Sequence, residues 1–513
     1  MSLGARVGRA IFWGQAGRVG EAAVCFVFYL FLARALGPAS YGLFALGTSL
    51  AGACVFLTLF GLGPETLGRF VPEIAADGRP NRVRRFLGVL LVIRGAAIFG
   101  VSALIFGLRG ELAQRFHFPL LAESLALMLL VFAARSTLDL LTYFSAGMME
   151  LRRVAGAKLV ASVAAPGLFL ILWLRQARGV NAAWLAIAFG SLAGIIVLAA
   201  PHAFPVSAAR AGVRESLPLR RILAFGLFAW ATNFFLYILG DNMDVLLLGW
   251  LVPNRSAIGY YAVGAKIVFS LTGLLLGWVT LASVPSLTES WQRGGAGRLA
   301  AVVEGQWKLG VVCLIAPLFF LCRFAREIVA IFYSPAYAPS VPVIEILCVL
   351  LACGVVCGFS IQGGVLYVLD HERVACAAVG FAALFNLASE IVLVRRMGIA
   401  GAAWATGISF VIVAILCTVA GAFYIPFHFP GRFIGRVIAA AGIALAPTFW
   451  LHPGALPALA VSCALYGTLF LGSLAILKPL TGRDSAGLHR VNHWFGAWAE
   501  RLFADVTPTV KEG

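Results

Sequence analysis

Charged side chains are scarce in this sequence. Asp, Glu, Lys and Arg make up 12% of the 513 residues, whereas soluble globular domains contain about 25%. Apolar residues reach 61%. This balance excludes a soluble globular domain, which needs a charged surface, and a disordered chain, which is poor in apolar residues. The sequence therefore predicts a membrane protein.

Acidic residues are the scarcer charge, with 22 against 39 basic residues and a formal net charge of +17. Such an excess can indicate nucleic-acid binding. Here the basic residues are scattered over short segments between apolar runs, where they would face the anionic inner leaflet of a membrane. No nucleic-acid partner is expected.

The sequence also lacks a Gly-rich phosphate loop that opens a helix, which argues against ATP hydrolysis. Long polar loops are missing as well, since the longest predicted outer loop is roughly 323–341. A membrane glycosyltransferase, polymerase or ligase generally needs such a loop for its catalytic acids or base. We therefore expect neither an enzyme nor a cofactor, and the membrane enzyme stays as the alternative from another class.

Ten cysteines are present, and nine of them lie within apolar runs. Buried thiols behave as small hydrophobic side chains. The cysteines therefore predict neither a disulfide framework nor a metal site.

Fourteen apolar runs are long enough to cross a membrane, since about 20 helical residues span the hydrocarbon core. They lie near 11–35, 41–64, 85–108, 119–146, 156–175, 181–200, 222–251, 257–285, 306–322, 342–369, 374–394, 399–425, 434–451 and 456–477. Continuous runs favour helices, because barrel strands would alternate over roughly ten residues. The predicted fold is an all-α polytopic membrane protein with about 14 transmembrane helices.

The sequence contains an internal repeat. Residues 42–47 (GLFALG) reappear as 259–264 (GYYAVG), displaced by 217 residues. Two shorter matches, both displaced by 220 residues, are RVA at 153–155 and 373–375 and AAW at 182–184 and 402–404. Because the order of the matches is kept, they indicate a duplicated half, which in membranes is typical of transporters.

Each copy contains six helices, so both halves enter the membrane from the same side and are related by a pseudo-two-fold axis along the membrane normal. The predicted organisation is an N-terminal six-helix lobe (1–210), a C-terminal six-helix lobe (211–428), two additional helices (429–480) and a tail (481–513). Apolar residues spaced by three and four in the tail predict an amphipathic helix on the inner leaflet. Such lobes would expose a central cavity alternately to each side.

The distribution of Lys and Arg predicts the orientation. With the N-terminus inside, the cytoplasmic segments hold 25 of the 39 basic residues and the outer loops hold 10. By the positive-inside rule, both termini are cytoplasmic.

Few charges lie inside the predicted spans, and each is a candidate for function because an ionisable group there costs about 2.5–3.5 kcal/mol. The candidates are Arg18, Glu21, Arg94, Arg135, Asp139, Asp241, Asp244, Lys266, Glu345 and Glu390. The i,i+4 spacing of Arg135 and Asp139 predicts a structural ion pair. Arg18 and Glu21 lie one turn apart, where each could neutralise the other.

Two further groups of these charges have no balancing charge on their own helix. Lys266 and Arg94 have no partner within a turn, so a ligand or another helix is expected to meet them. Asp241 and Asp244 are like charges on one helix face, which favours a nearby cation, namely Na⁺, H⁺ or Lys266.

Four segments resemble bacterial lipid-linked oligosaccharide flippases, the Wzx-type polysaccharide transporters. They are 32–45 (LARALGPASYGLFA), 61–63 (GLG), 69–73 (RFVPE) and 244–249 (DVLLLG). The resemblance covers roughly 10–425 and implies membership of the multidrug/oligosaccharidyl-lipid/polysaccharide exporter superfamily.

This resemblance implies a multi-pass protein of the bacterial inner membrane that flips an undecaprenyl-(pyro)phosphate-linked oligosaccharide from the cytoplasmic to the periplasmic leaflet. Coupling to a Na⁺ or H⁺ gradient stays open. The expected partners are the lipid-linked substrate, membrane lipids and the polymerase or ligase machinery for the same glycan. A lipid tail can stay in the bilayer, whereas the anionic head cannot cross unaided.

Arginine and lysine side chains in a cavity would replace the water around the diphosphate. We expect Arg18 and Lys266 to bind it, with Arg94 as a weaker candidate. The candidate ion-coupling residues are Asp244, Asp241 and Glu21. A further set on one face of helix 7 either contacts the sugar or packs against protein: Trp230, Asn233 and Tyr237.

The nearest alternative is a multidrug or cation antiporter of the same superfamily. Such a protein would have about twelve helices and a cavity rich in acids or aromatic rings for cationic drugs. The basic residues within the spans and the two additional helices favour the flippase.

Overall fold

A computed structural model describes residues 3–59, 61–76, 80–177, 179–199, 219–358, 364–480 and 503. The predicted amphipathic tail helix therefore lies outside the described residues, apart from Phe503. The helices are α1 (Leu3–Leu59), α2 (Pro64–Ala76), α3 (Pro80–Gly107), α4 (Arg109–Arg115), α5 (Pro119–Gly147), α6 (Leu151–Leu174), α7 (Val180–Ala199), α8 (Leu219–Ile238), α9 (Asp241–Leu251), α10 (Arg255–Arg323), α11 (Ala325–Ile328), α12 (Val341–Val356), α13 (Gly364–Val368), α14 (Glu372–Met397), α15 (Ile399–Ala422), α16 (Gly431–Leu445) and α17 (Leu456–Leu477).

The all-α polytopic fold predicted from the sequence is confirmed. Twelve segments of the described chain are helical, long and apolar enough to cross a membrane. One of them, Val19–Leu59, is 41 residues long and contains two crossings, because a straight helix of that length would extend about 60 Å. The predicted run 222–251 is not among the twelve, and in the structure it is divided between α8 and α9.

Gly37 separates the two crossings within α1. Its backbone has φ 71° and ψ 171°, outside the helical region and at a positive φ that favours glycine. Pro38 follows directly and lacks an N–H for helical hydrogen bonding. The predicted loop between the first two helices is thus reduced to a kink at one residue.

A second break replaces the continuous helix expected over 222–251, and that expectation was wrong. The helix stops at Ile238, and Gly240 adopts an extended conformation before α9 begins. Asp241 and Asp244 fall in the first turn of α9. Carboxylates at a helix N-terminus interact favourably with the helix dipole, which stabilises this break.

The described chain forms two compact units. Unit 1 comprises Met1–Val263 and Val394–Ile399, and unit 2 comprises Gly264–Leu393 and Ala400–Gly513. Within unit 1, α8 packs on α2 and α9 packs on α1. The six-helix lobes and their boundary at 210 stay predictions.

The repeated segments contact each other within unit 1, at a crossing between α1 and α10. A Cβ on Gly42 would lie 2.5 Å from the carbonyl oxygen of Arg255, and a Cβ on Gly259 would overlap the carbonyl oxygen of Pro38. The displacement of 217 residues converts Gly42 into Gly259 and Pro38 into Arg255. The contact is therefore reciprocal, as in an interface between two symmetry-related copies. Only glycine leaves room for the two backbones to approach this closely.

In unit 2, the additional helices are attached through Arg323, whose side chain is 11% exposed. Its Nη2 atom donates to the carbonyl oxygens of Thr448, Phe449 and Leu451 at 3.0, 3.2 and 3.0 Å. These carbonyls end the short 3₁₀ turn that follows α16. The guanidinium thus satisfies several backbone acceptors at a helix end.

We expect Arg323→Gln to lower the thermal unfolding temperature in detergent, because hydrogen bonds to a charged group contribute about 1.5–3 kcal/mol. Arg326→Gln, an exposed neighbour, is the matched control. Equal unfolding temperatures for the two variants would show that Arg323 does not hold the additional helices.

Candidate functional site

The two residues predicted to bind the diphosphate are only partly described. Arg18 lies in α1, but its side chain is outside the described residues. Lys266 is half-buried in α10, in the part of the crossing Arg255–Leu275 that belongs to unit 2. The substrate-binding roles of both residues stay predictions.

Arg94 lies in the interior of unit 1 and is 1% exposed. Its Nη1 atom donates to the carbonyl oxygen of Thr58 at 2.5 Å, and its Nε atom donates to that of Ser136 at 3.4 Å. The hydroxyls of Thr58 and Ser136 lie 3.2 Å apart. Arg94 therefore braces α1 against α5. These contacts favour a structural role, and direct contact of Arg94 with substrate stays a prediction.

Five charged residues gather where α1, α3, α5 and α6 meet, and we call them the unit 1 charge cluster: Glu21, Arg94, Arg135, Asp139 and Lys158. Lys158 Nζ lies 3.6 Å from Glu21 Oε2, and the two side chains are 36% and 32% exposed. Asp139 is attracted by Arg135, Lys158 and Arg94 and repelled by Glu21. The predicted partner of Asp139, Arg135, is thus one of three cations around it, and the structural ion pair stays a prediction.

Lys158 was missed by the sequence analysis. It follows Arg152 and Arg153 at the start of α6, where basic residues are expected to mark the cytoplasmic side. The available signal was its position inside the apolar run, one turn before Ser162. Its pairing with Glu21 depends on the packing of α6 against α1, which the sequence does not contain.

Asp244 is completely buried in unit 1 and accepts a hydrogen bond from the hydroxyl of Tyr261. Tyr261 occupies the repeat position of Phe44, so the hydroxyl is present only in the second copy. That difference between the copies was the signal for a polar partner. Asp241 is half-buried, and neutralisation of this acidic pair by Lys266 stays a prediction.

A buried carboxylate is also present in unit 2. Glu390 is 0% exposed, as are Asn386 one turn earlier in α14 and Thr406 in α15. Among the described side chains, Asp244 and Glu390 are the buried carboxylates. The sequence singled out Glu390 without assigning it a role. Glu345, by contrast, is exposed.

The polar and aromatic face of α8 packs against α1. The Trp230 indole donates to the carbonyl oxygen of Phe56 at 3.2 Å, and the Tyr237 hydroxyl donates to that of Ser49 at 3.2 Å. Phe56 stacks on both rings, with centroids 5.5 and 5.3 Å apart. Asn233 donates to Glu65 at 3.3 Å. Of the two roles left open for this face, packing is the one that the contacts favour.

No group of three or more metal-ligating side chains is present among the residues that were described.

The sequence pattern of the family described as polysaccharide biosynthesis protein matches residues 7–291. The chain belongs to this family. The matched range includes the whole unit 1 charge cluster, Asp244 and Tyr261. The resemblance to polysaccharide flippases inferred from the sequence motifs is confirmed.

Two relatives extend the comparison. The probable low-salt glycan biosynthesis flippase Agl15 of Haloferax volcanii is 24% identical over 177 residues, which cover 34% of this chain and 36% of the relative. The match thus spans about a third of that flippase. The uncharacterized membrane protein MJ1068 of Methanocaldococcus jannaschii is 20% identical over 435 residues, which cover 81% of this chain and 84% of the relative.

Two solved structures share the fold of this chain. The lipid II flippase MurJ in an inward closed conformation superposes with a TM-score of 0.68 at 14% identity, covering 94% of this chain and 99% of that chain. An inward-facing multidrug resistance MATE family transporter of the MOP superfamily gives 0.65 at 12% identity, covering 78% and 94%. At these identities the likeness concerns the fold alone.

Proposed function

We propose that this protein flips a polyprenyl-(pyro)phosphate-linked oligosaccharide from the cytoplasmic to the periplasmic leaflet by alternating access. The observation that carries the proposal is that membrane-crossing helices of a polysaccharide biosynthesis family member contain cations that are exposed or half-buried: Arg135, Lys158 and Lys266. The likeness to flippase and exporter folds supports it.

The chemistry of the substrate explains why cations are needed. The polyprenyl tail can stay in the hydrocarbon while the diphosphate and sugars cross. An ionisable side chain within a span is costly and persists where water or a counter-charge meets it. Arg offers forked N–H donors and Lys offers a point charge, and both replace the water lost by a diphosphate.

Carboxylates would serve the return of the empty transporter. We assign this coupling role to Asp244, with Asp241 and Glu21 as further candidates, and Na⁺ and H⁺ are both compatible with oxygen ligands. The burial of Asp244 and its bond to Tyr261 support this choice, because a buried carboxylate responds strongly to the arrival of a cation.

The setting of the protein follows from the same proposal. It would lie in the bacterial inner membrane with both termini in the cytoplasm, and the polymerase or ligase for the same glycan would act on its product. It would bind and move its substrate without chemical change, so it is proposed to be a transporter and not an enzyme.

The deciding experiment is translocation in proteoliposomes that contain only this protein. A lipid-linked oligosaccharide is placed in the membrane, and a sugar-modifying enzyme added outside scores what has crossed, with and without an imposed Na⁺ or H⁺ gradient. Protein-dependent modification supports the flippase. Absence of translocation, together with gradient-driven efflux of cationic dyes, would establish the antiporter instead.

Variants at the predicted diphosphate residues test the assignment of the site. We expect Arg18→Ala and Lys266→Ala, at parental expression, to reduce translocation roughly tenfold or more, because each removes a charge-assisted contact. Arg293→Ala removes an exposed cation that pairs with Glu289 on the surface and serves as control. Parental glycan export by both variants would show that these residues do not bind the substrate.

A further inference from the structure

The unit 1 charge cluster carries a net positive charge inside the membrane. It contains three cations, Arg94, Arg135 and Lys158, and two anions, Glu21 and Asp139. All five residues lie in segments that are long and apolar enough to cross a membrane. An uncompensated charge at that depth requires water or an anionic ligand.

The three cations of the cluster are not equally available to a ligand. Arg94 is buried and fixed on the backbone carbonyls of Thr58 and Ser136, so its charge is available to Asp139 but not to a ligand. Arg135 and Lys158 are the cations left to meet an anion, and each already has a carboxylate beside it. Of the three cations, Arg135 attracts Asp139 most strongly, and Lys158 is paired with Glu21.

Both remaining cations are accessible. Arg135 is exposed, and its charge interacts with the carboxylates of Asp139 and Glu21. The Lys158–Glu21 pair is one-third exposed, and its 3.6 Å separation is longer than the 2.7–2.9 Å typical of charge-assisted hydrogen bonds. A loose, accessible ion pair can exchange one anion for another at little cost.

The depth of the cluster suits the loading of a lipid head. Lys158 lies about two turns after the start of α6, and Asp139 lies about two turns before the end of α5. Both helix ends face the cytoplasm in the predicted orientation. The cluster is therefore within reach of a head group that enters from the inner leaflet while its tail stays in lipid.

We propose that Lys158 and Arg135 bind the diphosphate of the lipid carrier, and that the diphosphate takes the place of Glu21 on Lys158. Glu21 is then a resident anion that balances the empty site, and a ligand must carry more than one negative charge to displace it. This inference rests on the proposed function and names a substrate contact that the sequence analysis did not.

The test measures binding of farnesyl diphosphate to the purified full-length protein in detergent, with farnesol and inorganic diphosphate as comparison ligands. We expect Lys158→Gln and Arg135→Gln each to weaken farnesyl diphosphate binding roughly tenfold. Glu21→Gln should strengthen it several-fold, because the competing carboxylate is gone. Arg153→Gln removes an exposed cation from the same helix and should leave affinity unchanged.

The opposite signs separate this site from a structural ion pair. If Lys158 and Glu21 merely join α6 to α1, both substitutions lower affinity and thermal stability together, and the proposal is wrong. Binding of farnesol with the same affinity as farnesyl diphosphate would also overturn it, since the diphosphate would then contribute nothing to the affinity. Equal binding of inorganic diphosphate would identify a soluble anion and not a lipid head as the ligand, which contradicts the assignment.

Failure of the proposed function gives a different pattern. Lys158→Gln and Glu21→Gln could have opposite effects on farnesyl diphosphate binding while the parent protein shows no translocation. That result would support the binding site and contradict the proposed flippase function. If the parent protein translocates the substrate and Lys158→Gln does so at the same rate, the flippase function is supported and the proposed binding site is wrong.

Discussion

Replacing Gly259 by leucine is expected to abolish translocation and to remove most of the folded protein. A Cβ at this position already overlaps the carbonyl oxygen of Pro38, and the obstacle is backbone that cannot rotate away. Overpacking of a core costs about 1–3 kcal/mol when side chains can adjust, and more is expected here. Gly42→Leu should behave alike, because its Cβ would lie 2.5 Å from the Arg255 carbonyl oxygen. Size-exclusion profiles and translocation in proteoliposomes measure both effects.

Gly273→Leu is the matched control, because it makes the same change in the same helix at a position with nothing within 4 Å of the added Cβ. The Gly42 and Gly259 substitutions affect one contact, so their combined effect should be smaller than the sum of the two. Full additivity, or a folded and active Gly259→Leu protein, would show that the two repeats do not need this close approach.

Asp244→Asn is expected to leave the protein folded and to reduce gradient-driven translocation roughly tenfold or more, within the range typical of coupling between binding sites. The asparagine carbonyl oxygen can still accept the Tyr261 hydroxyl hydrogen, so the contact between α9 and α10 survives. What is lost is the negative charge that a coupling cation would bind. The measurement is the initial translocation rate with an imposed Na⁺ or H⁺ gradient, at equal protein density.

Two further variants serve as comparisons for the reduced translocation rate of Asp244→Asn. Glu289→Gln removes an exposed carboxylate that pairs with Arg293 at 2.8 Å and should have no effect. Tyr261→Phe introduces the side chain found at the repeat position, Phe44, and removes only the hydroxyl that donates to Asp244. A parental rate for Asp244→Asn under every gradient would mean that this carboxylate has no part in coupling.

The helices were predictable because hydropathy and length suffice to mark a membrane crossing. The break at Gly240 was not, since the apolar run continues across it and the acids at 241 and 244 stabilise the start of a new helix only once the break exists. The repeat could be recognised in the amino-acid sequence, whereas the contact between Gly42 and Gly259 became apparent only from the packing of the two copies in the structure.

Candidate charges were predictable for the same reason that helices were, because they interrupt apolar runs. Their partners were not. Arg18 was the charge near Glu21 that the sequence offered, and in the structure Glu21 is paired with Lys158, a residue more than a hundred positions away in sequence. Arg94 was expected to meet a ligand or another helix, and its contacts with two backbone carbonyls require α1, α3 and α5 to be in place.

Because one glycine joins the first two crossings, we expect them to enter the membrane as a single helical hairpin. Gly37 and Pro38 interrupt the helix without a polar loop, and Arg34 is the charged residue nearest to that turn. The orientation of the hairpin is then decided by the residues that flank it, including Arg69 in α2. We expect an epitope inserted at the turn to separate two crossings that a single glycine joins, and so to impair insertion of both.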